Sequence, residues 1–309
     1  MKFKTLSAGL CLLASGLCGL ALSGKAADPA KADPVHIGMV QTLFNDIPQT
    51  LVTICAAPFS ALLKDRTGVD GTLTIAGDGL TVGKLLHENK YQIAIFQGIE
   101  FAWAQHKYPD LKPLMIAVSY HPILHANLVV LDENPATSFA GLQGKDLALP
   151  KRSKMHIQLF LNKGCSSCGQ ADPSKFFHQL SRPESLTDAL DNVVLGTIQG
   201  AVVDDLGLEH YKDLKPGCFK RLKVIAKSED FPTGVIAYRE NTLDKETLAK
   251  FRDGMVNAKN DTKAREMMAL FQLTGFEEIP ANFAGTLANV IRAYPPPEPD
   301  RTEKTSTAP

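Results

Sequence analysis

The residues Tyr91-Gln-Ile-Ala-Ile-Phe-Gln-Gly-Ile-Glu-Phe101 change character halfway along. Tyr91 to Phe96 is a short apolar run of the kind that makes a buried strand, and residues 98–106 carry a helical pattern. The junction Gln97-Gly98 marks where one gives way to the other. A strand feeding a helix is half of a βαβ unit, and repeated units of this kind build parallel sheets with helices on both faces.

The same rhythm extends in both directions. Upstream, Val35-His-Ile-Gly-Met-Val40 and Leu73-Thr-Ile75 read as strands, with helical stretches at Ile47 to Leu63 and over 80–88. Downstream, Leu114-Met-Ile-Ala-Val118 is a strand. The alternation then restarts through Ala126-Asn-Leu-Val-Val-Leu131, Asp146-Leu-Ala-Leu149, Gly200-Ala-Val-Val203 and Leu222-Lys-Val-Ile-Ala226. Helices are expected there over 155–162, 173–180, 185–195 and 206–212. Val235-Ile-Ala-Tyr238 adds one more strand, after which only helices are expected: one with a capping pattern at Thr242 running to Val256, then 262–271 and 281–294. Two α/β lobes follow, the first assembled from residues 35–122 plus 233–294 and the second from 123–232. The chain crosses between them near 121–126 and 227–234. A chain of this length also exceeds the usual size of a single core.

Both ends carry information. Lys2 and Lys4 precede an uncharged run from Thr5 to Gly24 rich in Leu, Ala and Gly, with small residues at Gly24 and Ala26, so residues 1–26 predict a cleaved secretory signal peptide and a periplasmic or otherwise exported protein. Leu10 and Leu17, ahead of Cys11 and Cys18, argue against lipidation. Residues 295–309, opened by a run of prolines, are expected to be disordered. Removing 1–26 takes away Lys2, Lys4 and Lys25 and no acid, leaving 30 basic against 33 acidic residues. That balance lacks the basic footprint of a nucleic-acid binder.

Four cysteines remain: Cys55, Cys165, Cys168 and Cys218. In an exported chain an even number points to one or two disulfides. Cys165-Ser-Ser-Cys168 follows a run that reads as a helix ending at Gly164, unlike a thioredoxin-type pair, and Gly169 stands where haem attachment needs histidine. His121, His125 and Glu100 show no metal-ligand spacing. Ser60, Ser119 and Ser153 lack a G-x-S-x-G elbow, so no catalytic residue, metal or cofactor is expected.

In open α/β sheets a ligand sits beyond the carboxyl ends of the strands, where loops enter helices. Those positions are Phe44-Asn45-Asp46, Asp78-Gly79, Gln97-Gly98, Ser153-Lys154 and Asp204-Asp205. Helix starts there offer unpaired N–H groups to an oxyanion. Ser153 is the expected N-cap, which brings Lys154 and His156 to the helix start, while Asp78 and Asp204 either face the cleft or cap the helices after them.

These loops resemble those of the periplasmic phosphate/phosphite/phosphonate-binding proteins of ABC transporters. Tyr91 to Phe101 is similar to the family's V-D-I-A-W-L-G-P-x-S-Y. Ser138-Phe-Ala-Gly-Leu-Gln-Gly-Lys145 resembles S-L-A-D-L-K-G-K, Asp172-Pro-Ser-Lys-Phe-Phe177 resembles D-P-x-K-F-F, and Gly196 to Asp204 follows the N-G-x-V-D-A-x-x-x-D region. The likeness spans roughly 35 to 255. It implies the two-lobed type II periplasmic binding fold, each lobe a mostly parallel sheet flanked by helices, with two hinge crossovers. It also implies a small anionic ligand held between the lobes of a monomer, and an ABC permease as partner. The implied site comprises Asn45, Asp46, Asp78, Gly79, Gln97, Gly98, Phe101, Ser153, Lys154, His156 and Asp204. The family's S-T-S-G is here Ser153-Lys-Met-His156, and its two tyrosines are here Gly79 and Phe101, so at least three hydroxyl donors are replaced and a cation is introduced at Lys154. A receptor for another small anion or amine, or a sensor module for a membrane kinase, is the alternative.

Overall fold

A computed structural model describes residues 34–44 and 49–297. The signal-peptide reading of residues 1–26, most of the 295–309 tail, and Asn45 and Asp46 lie outside the described residues. No helix among the described residues is long and apolar enough to cross a membrane.

Strands β1 (Val35–Val40), β2 (Gly71–Ala76), β3 (Ile93–Phe96) and β4 (Leu111–Val118) alternate with helices α1 (Gln49–Thr67), α2 (Gly79–His87) and α3 (Gly98–Lys107). The two-residue β5 (Ile123–Leu124) leads into β6 (Ala126–Leu131), β7 (Asp146–Ala148), α4 (Met155–Ser167), α5 (Pro173–Phe176), β8 (Gln179–Ser181), α6 (Leu186–Val194), β9 (Gly200–Asp204), α7 (Asp205–Leu214), α8 (Pro216–Phe219) and β10 (Leu222–Lys227). The chain returns through β11 (Phe231–Pro232) to β12 (Gly234–Arg239), α9 (Lys245–Val256), α10 (Thr262–Leu270), β13 (Gly275–Glu277) and α11 (Phe283–Ala293).

Two sheets result, ordered β13-β4-β12-β3-β1-β2 and β10-β6-β9-β7-β8. Both are mixed: four of the six strands of the first and four of the five of the second run one way, in line with the expected mostly parallel sheets, and the others run against them. β1 pairs in parallel with β2 and β3, whereas β12 runs antiparallel between β3 and β4. In the second sheet β7 is parallel to β8 and β9, and β6 is antiparallel to β9 and β10. Of the reversed strands, β12 and β6 follow β11 and β5, which pair with each other as a two-stranded ribbon, whereas β13 reaches the sheet from α10. A strand entering from that ribbon starts where its neighbours end, so it must run against them.

Alternation within each strand builds a core on both faces of each sheet. In β3, Ala94 and Phe96 pack with Val82, Leu86 and Trp103 of α2 and α3, and Ile93 and Ile95 pack on the other face with Phe59, Leu63 and Phe251 of α1 and α9. In β6, Leu128 and Val130 pack against α4, while Val129 faces Leu190 and Tyr211 of α6 and α7.

Several local expectations are corrected. Residues 173–180 form one helical turn followed by β8, because Phe176 and Phe177 turn into the core and break the helical period. A further strand, β13, follows α10 and pairs with β4. The cap of α9 is Asp244, whose carboxylate accepts from the N–H of Thr247 at 2.8 Å, while the Thr242 hydroxyl donates to the Arg239 carbonyl. Helix α4 does not end at Gly164 but runs on to Ser167. Gly164 serves packing instead: a Cβ there would stand 2.4 Å from the Phe139 ring. Of the four cysteines read as candidates for one or two disulfides, Cys165, Cys168 and Cys218 are free thiols, and the side chain of Cys55 lies outside those described. Cys165 is fully buried, which pushes its thiol up to about 12 and keeps it protonated.

Candidate functional site

A cavity of about 370 Å³ lies at the carboxyl edge of the first sheet, closed on one side by residues 152–156 of the loop into α4. The starts of α3 and α4 both reach it, through Gln97 and Gly98 on one side and Lys154 and His156 on the other. Neither helix has a side-chain cap. By contrast, α2, α6, α7, α9 and α10 are capped by Asp78, Ser185, Asp204, Asp244 and Asp261. An uncapped helix start leaves N–H groups and the positive end of the helix dipole to whatever occupies the space in front of it.

On the second-sheet side the cap of α4 is Lys154, one residue later than expected. Ser153 is excluded because its hydroxyl, 5% exposed, donates to the Pro150 carbonyl at 2.7 Å and holds the turn closed. Lys154 lines the cavity with its ammonium 3.7 Å from a carboxylate oxygen of Asp204. The other Asp204 oxygen accepts from the N–H of Gly207 at 2.8 Å, so this residue both caps α7 and offsets the lysine charge.

His156 lines the same cavity at 3% exposure, with its ring 5.5 Å from that of Phe231, and its Nε2 has no hydrogen-bond partner. Burial, opposed by the charge on Asp204 and reinforced by that on Lys154, pushes its pKa down to about 4. The ring is therefore neutral at pH 7, with one nitrogen a donor and the other an acceptor. A buried polar atom without a partner costs on the order of 1–3 kcal/mol, which a ligand atom in the cavity would recover.

The first-sheet side is mostly apolar, and several of its polar groups are committed to protein partners. The Thr42 hydroxyl donates to Glu100, the Gln97 amide donates to the Thr42 carbonyl at 2.7 Å, and the Thr233 hydroxyl donates to the Ala117 carbonyl at 2.7 Å. Glu100 itself, 1% exposed, accepts from the N–H of Gly79 at 2.9 Å. Burial pushes this carboxyl up to about 7, against the hydrogen bonds from Thr42 and Gly79 and with help from the charge on Asp78. The start of α2 therefore already holds an internal carboxyl where an oxyanion had been expected. Gly79 makes this possible, since a Cβ would stand 2.4 Å from the Glu100 Cβ.

Among the predicted site residues, the cavity brings together Gln97, Gly98, Lys154 and His156, with Asp204 behind the lysine. Asp78 is an exposed cap accepting from the N–H of Thr81 at 2.8 Å, and Gly79 is used by Glu100. Phe101 is fully buried beside Phe96, ring centroids 5.8 Å apart, and belongs to the core rather than the site. The sequence reading missed Thr42, Thr233 and the apolar wall. Thr42 follows β1 directly, so the rule that ligands gather at strand ends would have found it; Phe271 ends a stretch read as helical and Leu273 lies in the connection after it, far from any expected strand end. Arg152 also lines the cavity.

Two sheets joined by a paired hinge ribbon, with a cavity opening on uncapped helix starts from both sides, define a two-lobed solute receptor of the type II periplasmic class. The family model described as "ABC transporter, phosphonate, periplasmic substrate-binding protein" matches residues 48–282, and the chain belongs to that family. It is thus by family a transporter's substrate-binding component, made for export to the periplasm, rather than an enzyme. Among solved structures the chain is similar to XAC2383 from Xanthomonas citri bound to ATP, at 15% identity and TM-score 0.59 over 84% of this chain and 96% of that one. It is also similar to PhnD1 from Prochlorococcus marinus in complex with methylphosphonate, at 11% identity and TM-score 0.54 over 84% and 97%. A third is a binding protein component of an ABC phosphonate transporter from Pseudomonas aeruginosa, at 18% identity and TM-score 0.52 over 83% and 85%. At these identities the likeness speaks for the fold. No curated protein matches the sequence.

Proposed function

We propose that the mature protein, freed of residues 1–26, is a monomeric receptor that captures a phosphonate-class oxyanion between lobes formed by 35–122 plus 233–294 and 123–232, and hands it to a membrane permease. The oxyanion sits at the start of α4, with Lys154 supplying charge and His156 a neutral hydrogen bond through Nε2. Gln97 and Gly98 approach it from α3. The observation that carries this reading is the uncapped start of α4 with a cation on its cap position and a buried, unpartnered His156 nitrogen turned into the cavity. Charge-assisted bonds are shorter and about twice as strong as neutral ones, so one lysine offsets lost hydroxyl donors.

Ligand binding would favour the closed arrangement about the β5–β11 ribbon, and that difference is what a permease reads. The test is calorimetric titration of the wild type and Lys154→Met with methylphosphonate, phosphite and phosphate, together with small-angle scattering. Binding with compaction, weakened at least tenfold in Lys154→Met, is expected. Absence of heat and of compaction with all three anions would overturn the assignment.

A further inference from the structure

The cavity is chemically lopsided. Its cations and its unpartnered histidine all come from the short stretch 152–156, and every other wall belongs to the first sheet, the segments packed against it or the hinge ribbon. There most lining side chains are apolar, among them Phe44, Phe59, Leu73, Ile75, Phe271 and Leu273; Ser119 and Gln272 are polar, the Thr42 and Thr233 hydroxyls donate to protein acceptors, and the Gln97 amide gives one of its two N–H groups to the Thr42 carbonyl. An oxyanion head facing Lys154 and His156 can satisfy that one side only. The remaining volume offers a ligand no free hydroxyl donor from Thr42 or Thr233 and is lined mainly by aromatic rings and aliphatic side chains.

Size points the same way. About 370 Å³ is within the range of roughly 300–1,000 Å³ typical of pockets for drug-sized molecules, far more than a head group of five non-hydrogen atoms fills. Water left in the excess would face Phe44, Phe59 and Phe271 without hydrogen-bond partners, whereas an apolar substituent would displace it with gain.

We infer that the physiological ligand is an amphiphilic phosphonate, its oxyanion against Lys154 and His156 and an alkyl or aryl substituent packed on the wall formed by Phe44, Phe59, Leu73, Ile75, Phe271 and Leu273. This rests on the oxyanion reading of the cleft and adds the substituent. It also gives the replacements of hydroxyl-bearing family positions a purpose. A receptor for a bare tetrahedral anion needs donors on all sides, while one for a substituted anion needs them on one side and exclusion of water on the other.

The test is a calorimetric series of methyl-, propyl-, hexyl- and phenylphosphonate on the mature wild-type protein and on Leu273→Gln. Each buried methylene is worth about fourfold in affinity, so hexylphosphonate should bind on the order of a hundredfold or more tighter than methylphosphonate. Leu273→Gln should shrink that ratio at least fivefold. If methylphosphonate binds and lengthening the chain leaves affinity unchanged or weakens it, the substituent inference is overturned while the oxyanion receptor stands. If no member of the series binds, both fail. If the ratio survives intact in Leu273→Gln, the substituent does not occupy this wall and the assignment is overturned.

Discussion

Replacing Glu100 by glutamine should tilt the dependence of stability on pH. Two buried titratable groups at the cleft act in opposite senses over one pH window. Glu100 is held at about 7 in the folded protein against an ordinary 4.5. The folded state therefore keeps a proton that the unfolded chain releases, and the stability this group contributes is present below pH 4.5 and lost as pH rises through 7. His156 is held at about 4 against an ordinary 6.5. Its contribution is present above pH 6.5 and lost as pH falls through 4, because only the unfolded chain can take up the proton. Each displacement is worth about 3 kcal/mol.

Between pH 4 and 7 the two terms offset one another, and the wild-type protein should show a nearly flat profile there. Glu100→Gln removes one of them. Glutamine keeps an oxygen for the N–H of Gly79 and an amide that can donate to Thr42, so the packing survives. Its stability should then rise by about 3 kcal/mol from pH 4.5 to 7.5, a gain over wild type on the order of 6 °C in Tm at the upper end. Urea unfolding followed by the fluorescence of Trp103 is a suitable assay, since this single tryptophan is buried in the same core and donates to the Tyr294 carbonyl. A stability difference between variant and wild type that stays constant from pH 4.5 to 7.5 would refute the reasoning.

Three further outcomes are expected. His156→Phe should melt higher than wild type, by about 1–2 kcal/mol, because an unpartnered buried nitrogen is replaced by carbon, and it should bind methylphosphonate more weakly in the same titration. Asp204→Asn keeps an oxygen for the α7 cap but removes the charge that offsets Lys154, so calorimetry should show methylphosphonate binding tighten several-fold and 2-aminoethylphosphonate gain less. Gly98→Ala should lose several kcal/mol or fail to accumulate, since its Cβ would stand 2.1 Å from the Pro232 carbonyl oxygen, whereas Gly285→Ala, in open space on α11, should raise the melting temperature by an amount equivalent to about 0.5–1 kcal/mol.

Much of this architecture is written in local sequence. The switch of period at Gln97-Gly98, the β1 run Val35 to Val40 and the strands β6, β7, β9 and β10 of the second sheet all come from spacing of apolar residues, which depends only on the geometry of the chain. That Asp78 and Asp204 precede helices was legible for the same reason, but whether each caps its helix or faces the cleft was not, and both cap. Which way β6 and β12 run could not be read, because the pattern of a strand is the same in either direction and only the place where the chain enters each sheet fixes it. The site divides along the same line. The cations and histidine of 152–156 stand together in the sequence and were read from it. That Glu100 would fill the start of α2, that Phe101 would turn into the core, and that an apolar wall would face Lys154 depend on contacts between residues up to some two hundred positions apart, where burial and close approach set the chemistry.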